Sequence, residues 1–254
     1  MLLTVLGCSG SVPGPESPAS GYLVRAGTTS VVFDLGNGAF GALQRYLDPF
    51  TLDAVILSHL HPDHCADVSA LAVYRRFHPS PAPSTALPLH GPSAVAERLV
   101  AAYATDADSR ISTDLSDVYD FRVFAEPIRI GDVEVRAGQV DHVCEAYALR
   151  VSHQGRTLVY SGDTGPCPQL VELARGADVL LAEASWPDQP ANPLGIHLSG
   201  RDAGLAAAAA GVGRLLLTHV PPWTDAKQVL AEAKAVYDGP TELVRPGADY
   251  EIHR

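Results

Sequence analysis

The stretch His59-Leu60-His61-Pro62-Asp63-His64 decides how the rest of the chain is read. It sets three imidazoles and a carboxylate within six residues, directly after the apolar run 54–57, whose composition fits a buried strand. A tight loop at the end of a strand can make such groups converge. Pro62 restricts the backbone there, so little ordering entropy remains to be lost on binding an ion. Neutral imidazole and carboxylate are donors suited to zinc and its neighbours. Packing alone gives no reason for so many titratable groups in one turn of chain.

Working outward, a pair of ions needs donors from distant segments. The chain offers them just after three further predicted strands: Asp141-His142, Ser161-Gly162-Asp163-Thr164 and Thr218-His219. Each is ordinary when taken singly. A histidine after a strand is commonly a satisfied polar residue, and an aspartate after Gly162 serves equally in a turn or helix cap. Beside the 59–64 cluster they read as one donor set gathered at strand ends, where a layered α/β fold brings distant side chains together.

The element pattern supports such a fold. Strands are predicted over 2–6, 21–26, 30–34, 54–57 and 87–90, and helices over 39–47, 67–77 and 93–105, the last with Val95, Leu99, Ala102 and Tyr103 on one face. A proline-rich crossing, HPSPAPSTALP, separates the second helix from the fifth strand. The middle turns to β over 120–125, 128–130, 133–137, 146–152 and 157–161, with turn signals at Gly131-Asp132 and Gln154-Gly155. Helix and strand then alternate: helix 168–175, strand 178–182, helix 200–210, strand 214–218, helix 224–237. A doubly wound sheet would need helices among the middle strands as well. Two facing mixed sheets flanked by helices, a four-layer αββα sandwich forming a single domain over 1–254, accommodates the order.

Composition bounds the function. The chain has 254 residues, 46% hydrophobic and 19% charged, an ordinary globular balance. Its formal net charge is −11, from 18 Lys plus Arg against 29 Asp plus Glu, which disfavours a broad polyanion-binding surface. An anionic substrate would therefore depend on bound cations or a few arginines. The four cysteines, Cys8, Cys65, Cys144 and Cys167, follow no C-x-x-C spacing and read as reduced thiols. The start MLLTVLGCSGS lacks the marks of a signal peptide, and no apolar run reaches the roughly 18 residues of a membrane span. The expectation is a cytoplasmic protein with no membrane partner.

The run His-x-His-x-Asp-His, followed by single His, Asp and His residues at strand ends, resembles the metallo-β-lactamase superfamily, from Val5-Leu6-Gly7 through Leu215–His219. The resemblance implies the αββα sandwich and two divalent metal ions, with zinc expected first and manganese or iron accepted by the same donors. It further implies that His59, His61 and His142 hold one ion, that Asp63, His64 and His219 hold the other, and that Asp163 bridges them. The segment ADVLLAEAS (177–185) and Ile196-His197-Leu198-Ser199 are similar to the ribonuclease Z-like branch, where a glutamate and a histidine, here Glu183 and His197, work with the motif aspartate, here Asp63, in proton transfer. Asp34, ending VVFD, matches an aspartate behind the ligands or serves a turn.

Ribonuclease Z itself acts on precursor tRNA and typically carries an arm inserted between the third histidine and the bridging aspartate. Only 20 residues separate His142 from Asp163, enough for two strands and a turn. A small-molecule phosphodiester is therefore expected ahead of tRNA. The opening GCSGSVPGPESPASGYLV and the stretch RRFHP are similar to actinobacterial relatives that degrade cyclic nucleotides. The expected function is hydrolysis of 3′,5′-cyclic nucleotides, cyclic AMP first, to 5′-monophosphates. An RNA 3′-end endonuclease and a thioester or lactone hydrolase are the alternatives, and relatives of this fold are often homodimers. Tyr74, Arg75, Arg76 and Phe77 either line the mouth of a base pocket or pack as an ordinary helix. Cys65 reads as a small buried residue.

Overall fold

The chain opens as an antiparallel meander, β1 (Leu2–Gly7), β2 (Gly21–Ala26) and β3 (Thr29–Leu35), then changes to parallel pairing through β4 (Ala54–Ile56), β5 (Leu87–Gly91) and β6 (Tyr119–Val123). Parallel neighbours need crossovers, and these carry the helices. They are α1 (Ala39–Leu43), α2 (Pro62–Cys65), α3 (Val68–Phe77), α4 (Val95–Tyr103) and α5 (Ser109–Ser112). The second half repeats the plan. The strands β7 (Ile128–Ile130), β8 (Val133–Gln139), β9 (Tyr147–His153) and β10 (Arg156–Tyr160) form a meander. Parallel β11 (Val179–Glu183), β12 (Leu215–Thr218) and β13 (Thr241–Leu243) follow, with α6 (Pro168–Ala174), α7 (Gly200–Ala210) and α8 (Ala226–Lys234) in their connections. The last strand, β14 (Asp249–Glu251), returns to pair antiparallel with β1. The two sheets run β14-β1-β2-β3-β4-β5-β6 and β13-β12-β11-β10-β9-β8-β7. This computed structural model describes residues 1–80, 83, 85–125 and 127–253.

Alternation along the strands builds the layers. On β3, Val31 and Phe33 enter a core between the sheets, where Tyr22, Leu149, Leu158, Tyr160 and Leu181 meet them, whereas Val32 and Leu35 face Phe40, Leu43 and Leu71 of the first helical layer. On β10, Val159 points the other way, toward Leu170, Ala203 and Ala207. Three apolar cores thus separate four layers, the expected αββα sandwich of two mixed sheets. The turns at Gly131 and at Gln154-Gly155 carry positive φ (48°, 49° and 74°), as tight antiparallel connections require.

Several expectations need correction. The first helix ends at Leu43 rather than 47, because the chain tightens into three-residue bonds, Arg45 N to Ala42 O and Tyr46 N to Leu43 O, ahead of Pro49. Residues 62–65 are a helical turn, not a loop, with Pro62 at its first position. Ala102 is exposed, while Val95 and Leu99 fill the buried face of α4. Tyr74 packs edge-on against Phe40, Arg75 donates to Thr85 O, Arg76 pairs with Asp117, and Phe77 is 67% exposed. This stretch of α3 is thus surface and helix packing, away from the donor cluster. Residues 81, 82 and 84 of the proline-rich crossing lie outside the described ones.

His90, on β5 and 5% exposed, leaves Nε2 without a hydrogen-bond partner. Burial, and then the Arg122 guanidinium, push its pKa down to about 4 despite Asp120. The unfolded chain titrates near 6.5. The folded value is the lower one, so this contribution is complete above about pH 6.5 and lost as pH falls through about 4; its ceiling is on the order of 3 kcal/mol. Urea unfolding at pH 7 and pH 4.5 should show His90→Gln losing less stability on acidification than the parent. Parallel losses would refute this.

Candidate active site

The expected donor set lies along one rim of the two facing sheets, most of it placed by the carboxyl ends of strands. His59 follows β4, His142 follows β8, Asp163 follows β10, Glu183 ends β11 and His219 follows β12. The helical turn α2 then presents Asp63 and His64 on its first turn. Close backbone approach holds this turn in place: a Cβ on Gly36 would lie 1.8 Å from Asp63 O, so only glycine fits beneath it. Gly162 has φ +58°, and a Cβ there would stand 2.7 Å from Tyr147 O. That bend turns the chain after β10 so that Asp163 faces the rim.

The structure brings all nine expected residues together. His59, His61, His142 and Asp163 form one group of donor atoms within 4.8 Å of one another, and Asp63, His64, Asp163 and His219 form a second. Asp163 belongs to both. Glu183, His197 and His219 make a third group beside them. The Asp141 carboxylate lies next to Gly195, outside these groups, and Cys65 is buried with its thiol directed at Leu60 O.

Hydrogen bonds on the far side of each ring fix what the near side can do. His64 Nδ1 donates to Asp34 Oδ2 at 2.7 Å, and His142 Nδ1 donates to Ile196 O at 2.8 Å. Ser58 Oγ gives its proton to Asp34 and so accepts from His59 Nδ1, at 3.1 Å. Ser185 Oγ donates to Glu183 Oε2 and accepts from His219 Nδ1, at 3.0 Å. These partners assign the tautomers and leave lone pairs on the inner nitrogens. The inner nitrogens face one another: His59 Nε2 and His61 Nδ1 at 3.0 Å, His61 Nδ1 and His142 Nε2 at 3.3 Å, His64 Nε2 and His219 Nε2 at 3.2 Å. Asp163 Oδ1 is buried without a hydrogen-bond partner. Converging imidazole nitrogens beside a buried carboxylate suit a cation, and these His and Asp donors are ones that divalent metals take.

The electrostatics divide by residue. Burial lowers His64, but the Asp163 and Asp34 carboxylates outweigh it and raise it well above the usual imidazole range, so its inner nitrogen must give up a proton to take an ion. Burial pushes the Asp163 carboxyl up, yet His219, His64 and His59 outweigh it and hold the group well below the carboxylate range. Asp63 behaves likewise: burial raises it, and the His219 and His64 imidazoles beside it more than reverse the effect. Burial lowers His59 and His61, with neighbouring imidazoles adding to the shift, which favours the neutral ligand form. His197 differs. Burial lowers it, but the Glu183 carboxylate, 3.1 Å from Nδ1, dominates and raises it to about 9. It stands as a proton-carrying imidazole whose Nδ1 is anchored.

Sequence reading did not single out Ser58, Tyr160, Ser185 or Trp186. Ser58 Oγ and Tyr160 OH both donate to Asp34 Oδ2, Ser185 orients His219, and Trp186 sits edge-on to His197 with centroids 5.0 Å apart. Only Ser58, adjacent to the histidine cluster, carried a local signal. Tyr160 is one apolar strand position among several until the sheets are stacked.

Comparison with known proteins places the chain. It belongs to the β-lactamase superfamily: the family model described as "Beta-lactamase superfamily domain" matches residues 29–220. An uncharacterized protein of Mycobacterium leprae is 52% identical, with 98% of this chain and 88% of that protein covered. A ribonuclease Z of Mycolicibacterium paratuberculosis is 35% identical, over 87% of this chain and 86% of its own. The solved structure of the metallo-beta-lactamase fold protein YhfI from Bacillus subtilis superposes with a TM-score of 0.84 at 28% identity, covering 98% and 99% of the two chains. The chain is a metallo-hydrolase of this superfamily.

Two outcomes follow. Zinc added to chelator-stripped protein at one hundred times its Kd contributes about 2.7 kcal/mol to stability. Differential scanning fluorimetry should show the melting temperature rising by about 5–10 °C, and no rise would contradict a cation site. Asp34→Asn, which disturbs the groups behind His59 and His64, should weaken zinc binding by about 10–100-fold in competition with a chromophoric chelator. Unchanged affinity would show that those contacts do not tune the ligands.

Proposed function

We propose that this chain is a dinuclear-metal phosphodiesterase that opens 3′,5′-cyclic nucleotides, cyclic AMP first, to 5′-monophosphates. The observation that carries the reading is one carboxylate, Asp163, shared by two donor groups, with the Glu183–His197 pair set against it: His197 Nδ1 lies 3.8 Å from Asp163 Oδ2. His59, His61 and His142 would hold one ion, Asp63, His64 and His219 the other, and Asp163 both. Two divalent ions in such a site supply Lewis acidity, lowering the pKa of water and neutralising charge on attacking and leaving oxygens.

The chain's own residues supply the proton handling. Glu183 Oε1 engages His197 Nδ1 and Thr164 N, and Oε2 is held by Ser185, so the carboxylate is fixed and in turn fixes the imidazole. That leaves His197 Nε2–H for the leaving alkoxide, which departs poorly without a proton. Asp63, on the other donor group, is the acceptor on the attacking side. A thioester hydrolase does not need a general acid poised in this way, because a thiolate departs without a proton, and the pair favours a phosphodiester over it. Substrate size is argued from the segment between His142 and Asp163. It is β9 and β10 joined by the Gln154-Gly155 turn, with no inserted arm to grip a folded RNA.

A second reading, an RNA 3′-end endonuclease, is favoured by the 35% identity to a ribonuclease Z. Turnover of cyclic AMP and of a precursor tRNA by the same metal-loaded preparation separates them; faster cleavage of the tRNA overturns our reading. His197→Ala should lower kcat by about 10²–10⁴-fold on cyclic AMP. The loss should be much smaller on bis(p-nitrophenyl) phosphate, whose leaving group needs no proton. Equal losses on both would remove the acid role.

A further inference from the structure

A cavity of about 400 Å³ opens beside His197, and both of the chain's tryptophans, Trp186 and Trp223, line it. We propose that this cavity is a base pocket: it takes the heterocyclic base of a nucleotide, stacked on Trp223, while the phosphate lies at the donor groups. The proposal rests on the phosphodiesterase reading and names the part of the substrate that reading leaves open.

Four observations carry it. The size falls within the roughly 300–1,000 Å³ of small-molecule sites. His197 belongs to both places, since it lines the cavity and stands in the third donor group, so a ligand reaching from one to the other passes the proton donor. Apart from His197, which the reading commits to the leaving oxygen, the cavity has no basic group: no lysine or arginine lines it, whereas Asp225 does, which disfavours a second phosphate and suits an uncharged moiety. Gln189 and Asn192 also line it and can meet the polar edge of a base.

The walls are pre-set. Trp223 follows Pro221 and Pro222, which restrict the backbone that presents it. Thr224 Oγ1 donates to Ser185 O at 3.0 Å and ties this loop to the segment that orients His219. Trp223 is nevertheless 69% exposed. One exposed apolar side chain is unremarkable by itself. An indole held by two prolines and a cross-loop hydrogen bond, at a cavity shared with a second indole and a proton donor, is a stacking platform.

The test uses AMP and ribose 5-phosphate, which share sugar and phosphate and differ in the base. Both are titrated into metal-loaded protein, followed by calorimetry and by tryptophan emission, which reports on this cavity because no other tryptophans exist. AMP should quench the emission and bind about 5- to 150-fold more tightly than ribose 5-phosphate, the range a stacked base contributes. Trp223→Ala should abolish that ratio, and Trp223→Phe should keep most of it. Equal affinities for the two ligands, or an unchanged ratio in Trp223→Ala, overturns the pocket. Cleavage of bis(p-nitrophenyl) phosphate, assayed in parallel, tests the phosphodiesterase reading on its own. A protein that prefers AMP but cleaves no diester keeps the pocket and loses that reading. One that cleaves diesters with no preference for the base loses the pocket alone.

Discussion

One fully buried carboxylate ties the two sheets to the rim where the donors meet. Asp34, next to last in β3, has a left-handed conformation, φ +54°, which costs a residue other than glycine of order 1–3 kcal/mol. In return it accepts from Ser58 N and Ser58 Oγ, both at 2.7 Å, from His64 Nδ1 at 2.7 Å and from Tyr160 OH at 2.8 Å. These partners belong to the loop after β4, to α2 and to β10 of the opposite sheet. A buried carboxylate is tolerated only when its lone pairs are matched this fully. The strain, the burial and the hydrogen bonds make sense together as a device for aiming imidazoles. Tyr160 stacks against Phe33 and lies 4.8 Å from Tyr22, whose hydroxyl meets Thr218 at 2.7 Å beside His219. An aromatic floor between the sheets thus supports both ends of the donor set.

Much of this was legible in the sequence, for physical reasons that differ by element. Runs such as 21–26 and 128–130 alternate or bury cleanly, and their boundaries match the structure. The three-residue strands β13 and β14 carry no such pattern. TEL and DYE are strands because β12 and β1 pair with them, a tertiary cause without a local signature. Among the site residues, His59 to His64 stand out by density, whereas Asp163 and His219 gain meaning only from that cluster. Asp34 was readable as an aspartate ending a strand, but its choice between a turn and a support for the ligands needed the opposite sheet. Ser185 and Tyr160 act through partners 34 and 126 residues away, His219 and Asp34, which no local reading connects.

The doubled plan of the chain explains why the site lies where it does. Each half runs from an antiparallel meander into parallel strands, and parallel crossovers all deliver their loops to the same end of a sheet. Facing the sheets therefore collects the loops after β4, β10, β11 and β12 along one rim, where side chains can meet across the inter-sheet core. The antiparallel part contributes His142 from the turn between β8 and β9. Strand ends on a packed core are stiff, so donors placed there lose little freedom on capturing an ion.

Charge then divides the labour at that rim. With a net charge of −11, the chain repels anions over most of its surface. If cations occupy the two donor groups, the local sign reverses over a few ångströms, and only a phosphate that reaches them is attracted. Beside them stands a cavity lined by Asp225 and two indoles, with no lysine or arginine, and with His197 as its basic group. A long polyanion would meet repulsion wherever it left the metal site, whereas a ligand with one phosphate and a neutral aromatic end would satisfy both places at once. The absence of an inserted arm between β9 and β10 points the same way. The field, the cavity and the short β9–β10 turn all support the small nucleotide we propose as substrate.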